Sequence, residues 1–284
     1  MRELLPHDAL SGRRIGISVS DSPDLGRLGL LTSHLRLAVG EIARAVLLAD
    51  GSLAYGGHLD PDGFTPFLAQ ELDRHGAAHG RLLVCLAWSV HRALDLAELK
   101  RREVALGLVG RVVYLDLDGH EIPMDTDRGA APEPVAGEDV ARGLTAMRRY
   151  MAAHVDGRVL LGGRRAGALG RFPGLMEEAL LALEVKQPLY LAGGFGGVTA
   201  DIADALGVGL GWLDPAGDEP PAAGGEAGRQ ALARHRASAE PWTVLRNGLT
   251  GDENARLAAS HRPSDIAALV TLGIGRLTTT EGAN

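Results

Sequence analysis

Short apolar runs alternate with longer amphipathic stretches along most of the chain. Residues 13–20 (RRIGISVS) form the first such run, closed by the polar turn Ser20-Asp21-Ser22-Pro23. Behind a Thr32 or Ser33 cap, Leu35, Val39, Ile42, Ala43 and Val46 recur at helical spacing to about residue 50. Further strand-length runs stand at 52–55, 82–87, 111–117, 158–161 and 188–191. Helical patterns occupy 67–75, 94–106, 138–155, 173–184, 199–206, 250–259 and 264–272. Strand–helix alternation predicts an α/β fold, a Rossmann-like three-layer sandwich. Its sheet is mostly parallel, with about six strands, and helices cover both faces. Ligands of such sheets bind at the carboxyl ends of the strands.

The 284 residues fit one domain, expected over 13–275. A loop insertion is expected at 118–137, a Gly/Pro-rich insertion or lid at 207–241, and a tail at 276–284. Within 173–184, which Pro173 opens, Leu175, Met176, Ala179, Leu180 and Leu183 form an apolar stripe; Glu177 and Glu178 fall on either side of the face away from it, Glu178 on the Leu175 and Ala182 side.

Several strands run directly into glycine. Gly56 and Gly57 close the second strand. Gly162 and Gly163 close the fifth and are followed by Arg164, Arg165 and Arg171. Gly193, Gly194, Phe195, Gly196 and Gly197 close the sixth. Glycine lets the main chain approach an anion, and the first N–H groups of a helix carry positive partial charge. These glycines and arginines are therefore candidate phosphate contacts, the alternative being ordinary tight turns and solvated arginines. Ser18, Ser20 and Asp21 at the end of the first strand, and Thr65 after the second, are further candidate ligand contacts. Asp21 and Glu178 are suited to ribose hydroxyls, because a carboxylate accepts two such bonds.

Composition narrows the classes. A net charge of −7 and 4% aromatic content argue against nucleic-acid binding. The lack of a long apolar run argues against a membrane span, and residues 1–12 lack a signal-peptide core, so the cytoplasm is the expected compartment. Cys85, the single cysteine, excludes an internal disulfide and reads as a core thiol. No metal site and no required cofactor are expected, since the ten histidines show no zinc spacing. The first strand lacks GxGxxG, which speaks against a dinucleotide dehydrogenase. GxSxG and P-loop patterns are absent as well.

The segments ISVSDSPDL (17–25), LAYGGHLDPDGFT (53–65), GGRRAGALGRFPGLMEEALLAL (162–183), PLYLAGGFGG (188–197) and GLTGDENARLA (248–258) together resemble the SLOG superfamily. These are Rossmannoid domains related to LOG phosphoribohydrolases and Smf/DprA. The resemblance is nearest to the branches that accompany TIR-type partners in bacterial conflict systems. It implies a pocket for a nucleotide or an NAD-derived molecule such as ADP-ribose. It also implies a sensing role, a TIR-type or other effector as partner, and assembly into a homo-oligomer. The alternatives are an N-glycoside hydrolase acting on a nucleotide, and an interaction module without ligand. The LOG signature Gly-Gly-x-Gly-Thr-x-x-Glu is only partly present. Laid on the chain from Gly193, it puts Gly197 at the threonine and Ala200 at the glutamate. Glu177 and Glu178 are the nearby acids left as candidate catalytic residues.

Overall fold

The computed structural model describes residues 5–129, 137–167, 169–209, 211, 224–236 and 240–281. Among these described residues seven strands form one sheet: β1 (Arg14–Ser20), β2 (Ser52–Gly56), β3 (Leu82–Leu86), β4 (Gly110–Leu115), β5 (Glu121–Ile122), β6 (Gly157–Gly162) and β7 (Leu189–Ala192). Their order is β5-β4-β3-β2-β1-β6-β7, and every pairing is parallel except β4 with β5. The α/β sandwich of the sequence pattern is present. The extra strand is β5, a two-residue hairpin arm too short to leave a periodic signal.

Alternation along β1 sorts its side chains between the two layers. Ile15, Ile17 and Val19 enter the core beneath α1 (Thr32–Leu48), α2 (Phe64–Arg74) and α10 (Pro263–Glu281). Gly16 and Ser18 face the opposite layer. That layer contains α5 (Gly137–His154), α6 (Gly174–Glu184) and α7 (Gly197–Leu206). The short α3 (Trp88–Arg92) and α4 (Leu96–Ala105) flank β3 and β4. α8 (Gly225–Ala233) covers α6 and α7, and α9 (Gly251–Ala259) packs on β7.

Two peripheral expectations change. The closing helix extends through most of the expected tail, where Arg276 bonds Glu253 at 2.7 and 3.0 Å and Thr278 donates to the Ala9 carbonyl at 3.0 Å. Of the expected insertion at 207–241, α8 is a packed helix, while 210, 212–223 and 237–239 lie outside the described residues. Residues 118–129 form the β5 hairpin and its return, tied back by Tyr150 to Glu121 and by Arg128 to His91. Residues 130–136 lie outside the described residues. Cys85 is fully buried, and burial pushes its thiol up to about 12. No helix among the described residues is long and apolar enough to cross a membrane.

His91 anchors that hairpin from inside. Its Nε2 bonds the Leu115 carbonyl at 2.9 Å, and its Nδ1 accepts from Arg128 Nε at 2.8 Å. Those partners require the neutral ring with its proton on Nε2. Burial, with the Arg128 charge adding to it, depresses the imidazole from 6.5 to about 4. Between these values the unfolded chain binds the extra proton, so stability rises with pH across that window. The contribution is complete above pH 6.5 and lost towards pH 4, worth roughly 3 kcal/mol. Urea midpoints of the wild type should therefore fall between pH 7 and pH 5 by more than those of His91→Gln. Parallel falls in the two proteins would contradict this.

Candidate functional site

β1 has β2 on one side and β6 on the other, so the chain's connections leave it in opposite directions. Such a switch point opens a crevice at the carboxyl edge of a parallel sheet. A cavity of about 650 Å³ lies there. Ser20 and Asp21 from β1 and its following loop, and Gly56 and Gly57 from the end of β2, line it. So do Thr32 and Arg36 from the start of α1, and Gly63 and Phe64 from the start of α2. Arg164, two residues beyond β6, completes the lining from the far side of β1.

Two helices thus begin at one cavity. No side chain caps α2, and the amides of Phe64 and Thr65 at its start lack intrahelical acceptors by helix geometry, while Pro66 carries no N–H. Arg36 adds positive charge, stacking over Phe64 at 5.2 Å and Phe67 at 5.5 Å and donating to the Asp62 carbonyl. Asp21 is half-exposed, with Arg164 at 3.4 Å. His58 pairs with Asp60 at 3.0 Å, and Asp60 also takes Arg102 at 2.6 Å. The cavity therefore combines amide donors, arginines, an aromatic ring and carboxylates. These groups suit a ligand with phosphate, base and sugar hydroxyls.

Five of the expected contacts, Ser20, Asp21, Gly56, Gly57 and Arg164, meet at this cavity. Thr65 stands behind it, fully buried, its hydroxyl donating to the His58 carbonyl and shaping the loop. Arg171 lies elsewhere, beside α5 in a separate groove and over the Phe172 ring.

The glycine run 193–197 is not among the cavity residues, and the amides at its helix end are already bonded within the chain. Gly196 N–H donates to Gly193 O at 2.8 Å, and Val198 N–H to Gly163 O at 3.1 Å. Gly197 N–H, first in α7, donates to the Asp24 carboxylate at 2.7 Å. The glycines are needed for close packing. A Cβ on Gly194 would meet the Ser260 carbonyl at 2.3 Å, and one on Gly196, at φ +69, would meet Asp24 at 2.5 Å. Phe195 is core. Gly162 and Gly163 are buried beneath the same junction, where Gly163 N–H donates to Ser20 O at 3.0 Å.

Arg165 joins this junction rather than the cavity. It forks onto Asp201 with two bonds of 2.8 Å and reaches Asp24 at 2.9 Å. Burial opposes its charge, but Asp201 and Asp24 together hold the guanidinium above its ordinary value.

Glu177 and Glu178 are not on a solvated face: α5 covers Glu177, and Glu178 turns to the sheet. Glu177 accepts from Arg148 and, at 2.5 Å, from Thr145. Glu178 accepts from Arg158 on β6 and from Ser18 on β1, while Arg158 also donates to Ser18 at 2.9 Å. Ser18, Arg148, Arg158 and Glu177 are buried, and neither glutamate lines the cavity. These acids balance two interior arginines, so the arrangement gives them a structural task.

Sequence reasoning passed over Thr32, Arg36, Gly63 and Phe64. One signal was available: Arg36 lies one helical turn after Thr32 and so returns to the same end of α1. Among the described residues no group of three or more His, Cys, Asp or Glu could hold a metal ion.

A family model described as SLOG cluster2 matches residues 9–257, most of the chain. The chain belongs to the SLOG cluster2 family. No curated protein matches it. For this SLOG chain the seven-stranded sheet and its layers agree with the Rossmann-like fold, and membership points to a domain that binds or modifies nucleotides. The matched span covers the cavity, the Asp24 junction and the buried ion cluster alike.

Removing one charge from that cluster strands its partner in the interior. Glu178→Gln leaves Arg158 buried without its counterion and should cost about 3–5 kcal/mol in denaturant unfolding. An unchanged midpoint would mean that Glu178 stands in water.

Proposed function

We propose that this SLOG domain binds a nucleotide or an NAD-derived ligand of the ADP-ribose type in the cavity over β1 and β2. The observation that carries the reading is the meeting of two helix starts with Arg36 and Phe64 above the half-exposed Asp21. Ligand phosphates accept from the first-turn amides of α1 and α2 and from Arg36 or Arg164. Phe64 offers a face to the base, and Asp21 accepts from ribose hydroxyls. No cofactor is needed for binding of this kind.

Binding, rather than N-glycoside cleavage, is favoured because Glu177 and Glu178 are bonded to arginines away from the cavity. The domain acts as a sensor or regulatory module in a bacterial conflict pathway, reporting to a TIR-type or other effector within a homo-oligomer. That part of the reading is supported by the likeness of its glycine-rich segments to SLOG sensors.

The test is a panel of AMP, ADP, NAD, ADP-ribose and cyclic ADP-ribose, read by thermal shift and calorimetry. At a hundred times its dissociation constant a true ligand adds about 2.7 kcal/mol of stability. Asp21→Asn and Phe64→Ala should each weaken that ligand roughly 10-fold or more while leaving the fold intact. Silence across the panel, or affinity indifferent to both substitutions, would overturn the proposal. Free base released in the same incubations would move the assignment to the hydrolase.

A further inference from the structure

A tyrosine inside a protein ordinarily spends its hydroxyl proton on a partner there. Three of the four tyrosines in this chain do so. Tyr190 donates to the Asn247 carbonyl at 2.8 Å, Tyr114 to Glu103 at 3.1 Å and Tyr150 to Glu121 at 2.5 Å. Tyr55 does not. It stands one residue before the end of β2 and is 5% exposed, and its hydroxyl has no hydrogen-bond partner among the described residues. The side chain lines the β1–β2 cavity, and its oxygen opens there rather than being sealed in the core. The ring lies across Gly57, where a Cβ would stand 2.3 Å from Cε1, so this glycine admits the ring. Tyr55 and Phe64 are tilted at 55° with centroids 6.4 Å apart, and Arg36 stacks over Phe64 in turn. Burial, and then the Glu178 carboxylate, push the phenol far above its ordinary value, while Arg36 pulls the other way. The hydroxyl therefore keeps its proton throughout the physiological range and meets the cavity as a donor. An unpaired donor in a cavity wall is a cost to the fold that a bound acceptor removes. With the Arg36 cation on the same side of the cavity, the acceptor that fits best is an anionic oxygen.

We infer that Tyr55 is a specificity-determining residue of the cavity, whose hydroxyl donates to a ligand phosphate oxygen beside Arg36 and so selects phosphorylated nucleosides over bare ones. The inference rests on the nucleotide reading of this cavity and deepens it, by naming the group that tells a nucleotide from its nucleoside. A donor with no partner in the chain discriminates well, because a ligand without the matching acceptor leaves it unpaired.

Tyr55→Phe tests it in the full-length chain, since the substitution removes the hydroxyl and keeps the ring. Both proteins are titrated by calorimetry with AMP, ADP-ribose and adenosine. Tyr55→Phe should weaken the phosphorylated ligand that the wild type binds by about 10–100-fold, the loss of one bond to a charged acceptor. Adenosine, the weaker ligand, should bind the two proteins alike. The urea midpoint of Tyr55→Phe without ligand should match that of the wild type, because no bond within the chain is lost. Undiminished AMP and ADP-ribose affinity in Tyr55→Phe would overturn this inference and leave the nucleotide reading standing. An equal loss for adenosine would overturn it too, by moving the bond to the base or ribose, and so would a lowered urea midpoint, which would place the hydroxyl's bond within the fold. A wild type that binds neither nucleotide would fail the nucleotide reading itself, and this inference with it.

Discussion

A single buried carboxylate ties the two halves of this sheet together. Asp24 leaves the loop after β1 and bonds the first amide of α7, which follows β7, two strands away. Arg165, from the segment after β6, bridges Asp24 to Asp201. Three strand-to-helix connections therefore converge on one charge-balanced knot. Bonds to charged groups are each worth about 1.5–3 kcal/mol, against a desolvation cost that only full pairing offsets. The pairing is full on the carboxylate side, where both Asp24 oxygens are engaged.

This knot decides where the open surface lies. With the Gly197 and Val198 amides used internally, the helix starts that open on the cavity are those of α1 and α2. Asp24 holds the loop that carries Ser20 and Asp21 towards Thr32, and Arg36 holds the opposite loop through Asp62 and Phe64. Both walls of the cavity are thus positioned by arginine–carboxylate or arginine–carbonyl contacts. The second ion cluster, Arg148, Arg158, Glu177 and Glu178, fastens α5 and α6 to β1 and β6 beneath the sheet. Charge inside this acidic protein is mostly structural.

The sheet and most helices were legible because strand runs are short, apolar and bounded by glycine or proline, while helices show their 3.6-residue stripe. β5 escaped because two residues carry no period. The cavity was half legible. Ser20, Asp21, Gly56, Gly57 and Arg164 sit where strands end, and strand ends can be read in sequence. Arg36 and Phe64 act through helix geometry and through a loop whose fold no local pattern specifies. The glycine run at 193–197 shows a pattern that close packing also demands. Glycine permits close approach of any group, and here the groups that approach are the Ser260 carbonyl and the Asp24 side chain. Likewise Glu177 and Glu178 look solvated when α6 is considered alone, and only its packing against α5 and against β1 and β6 shows that they are paired inside.

The most direct measurement is amide hydrogen exchange, with and without saturating ADP-ribose or whichever nucleotide of the panel binds. Ligand should slow exchange at residues 56–65 and 20–33 and leave 196–198 unchanged, since those three amides are already bonded in the free protein. Protection centred on 193–198, with none at the β1 and β2 ends, would contradict the placement of the site.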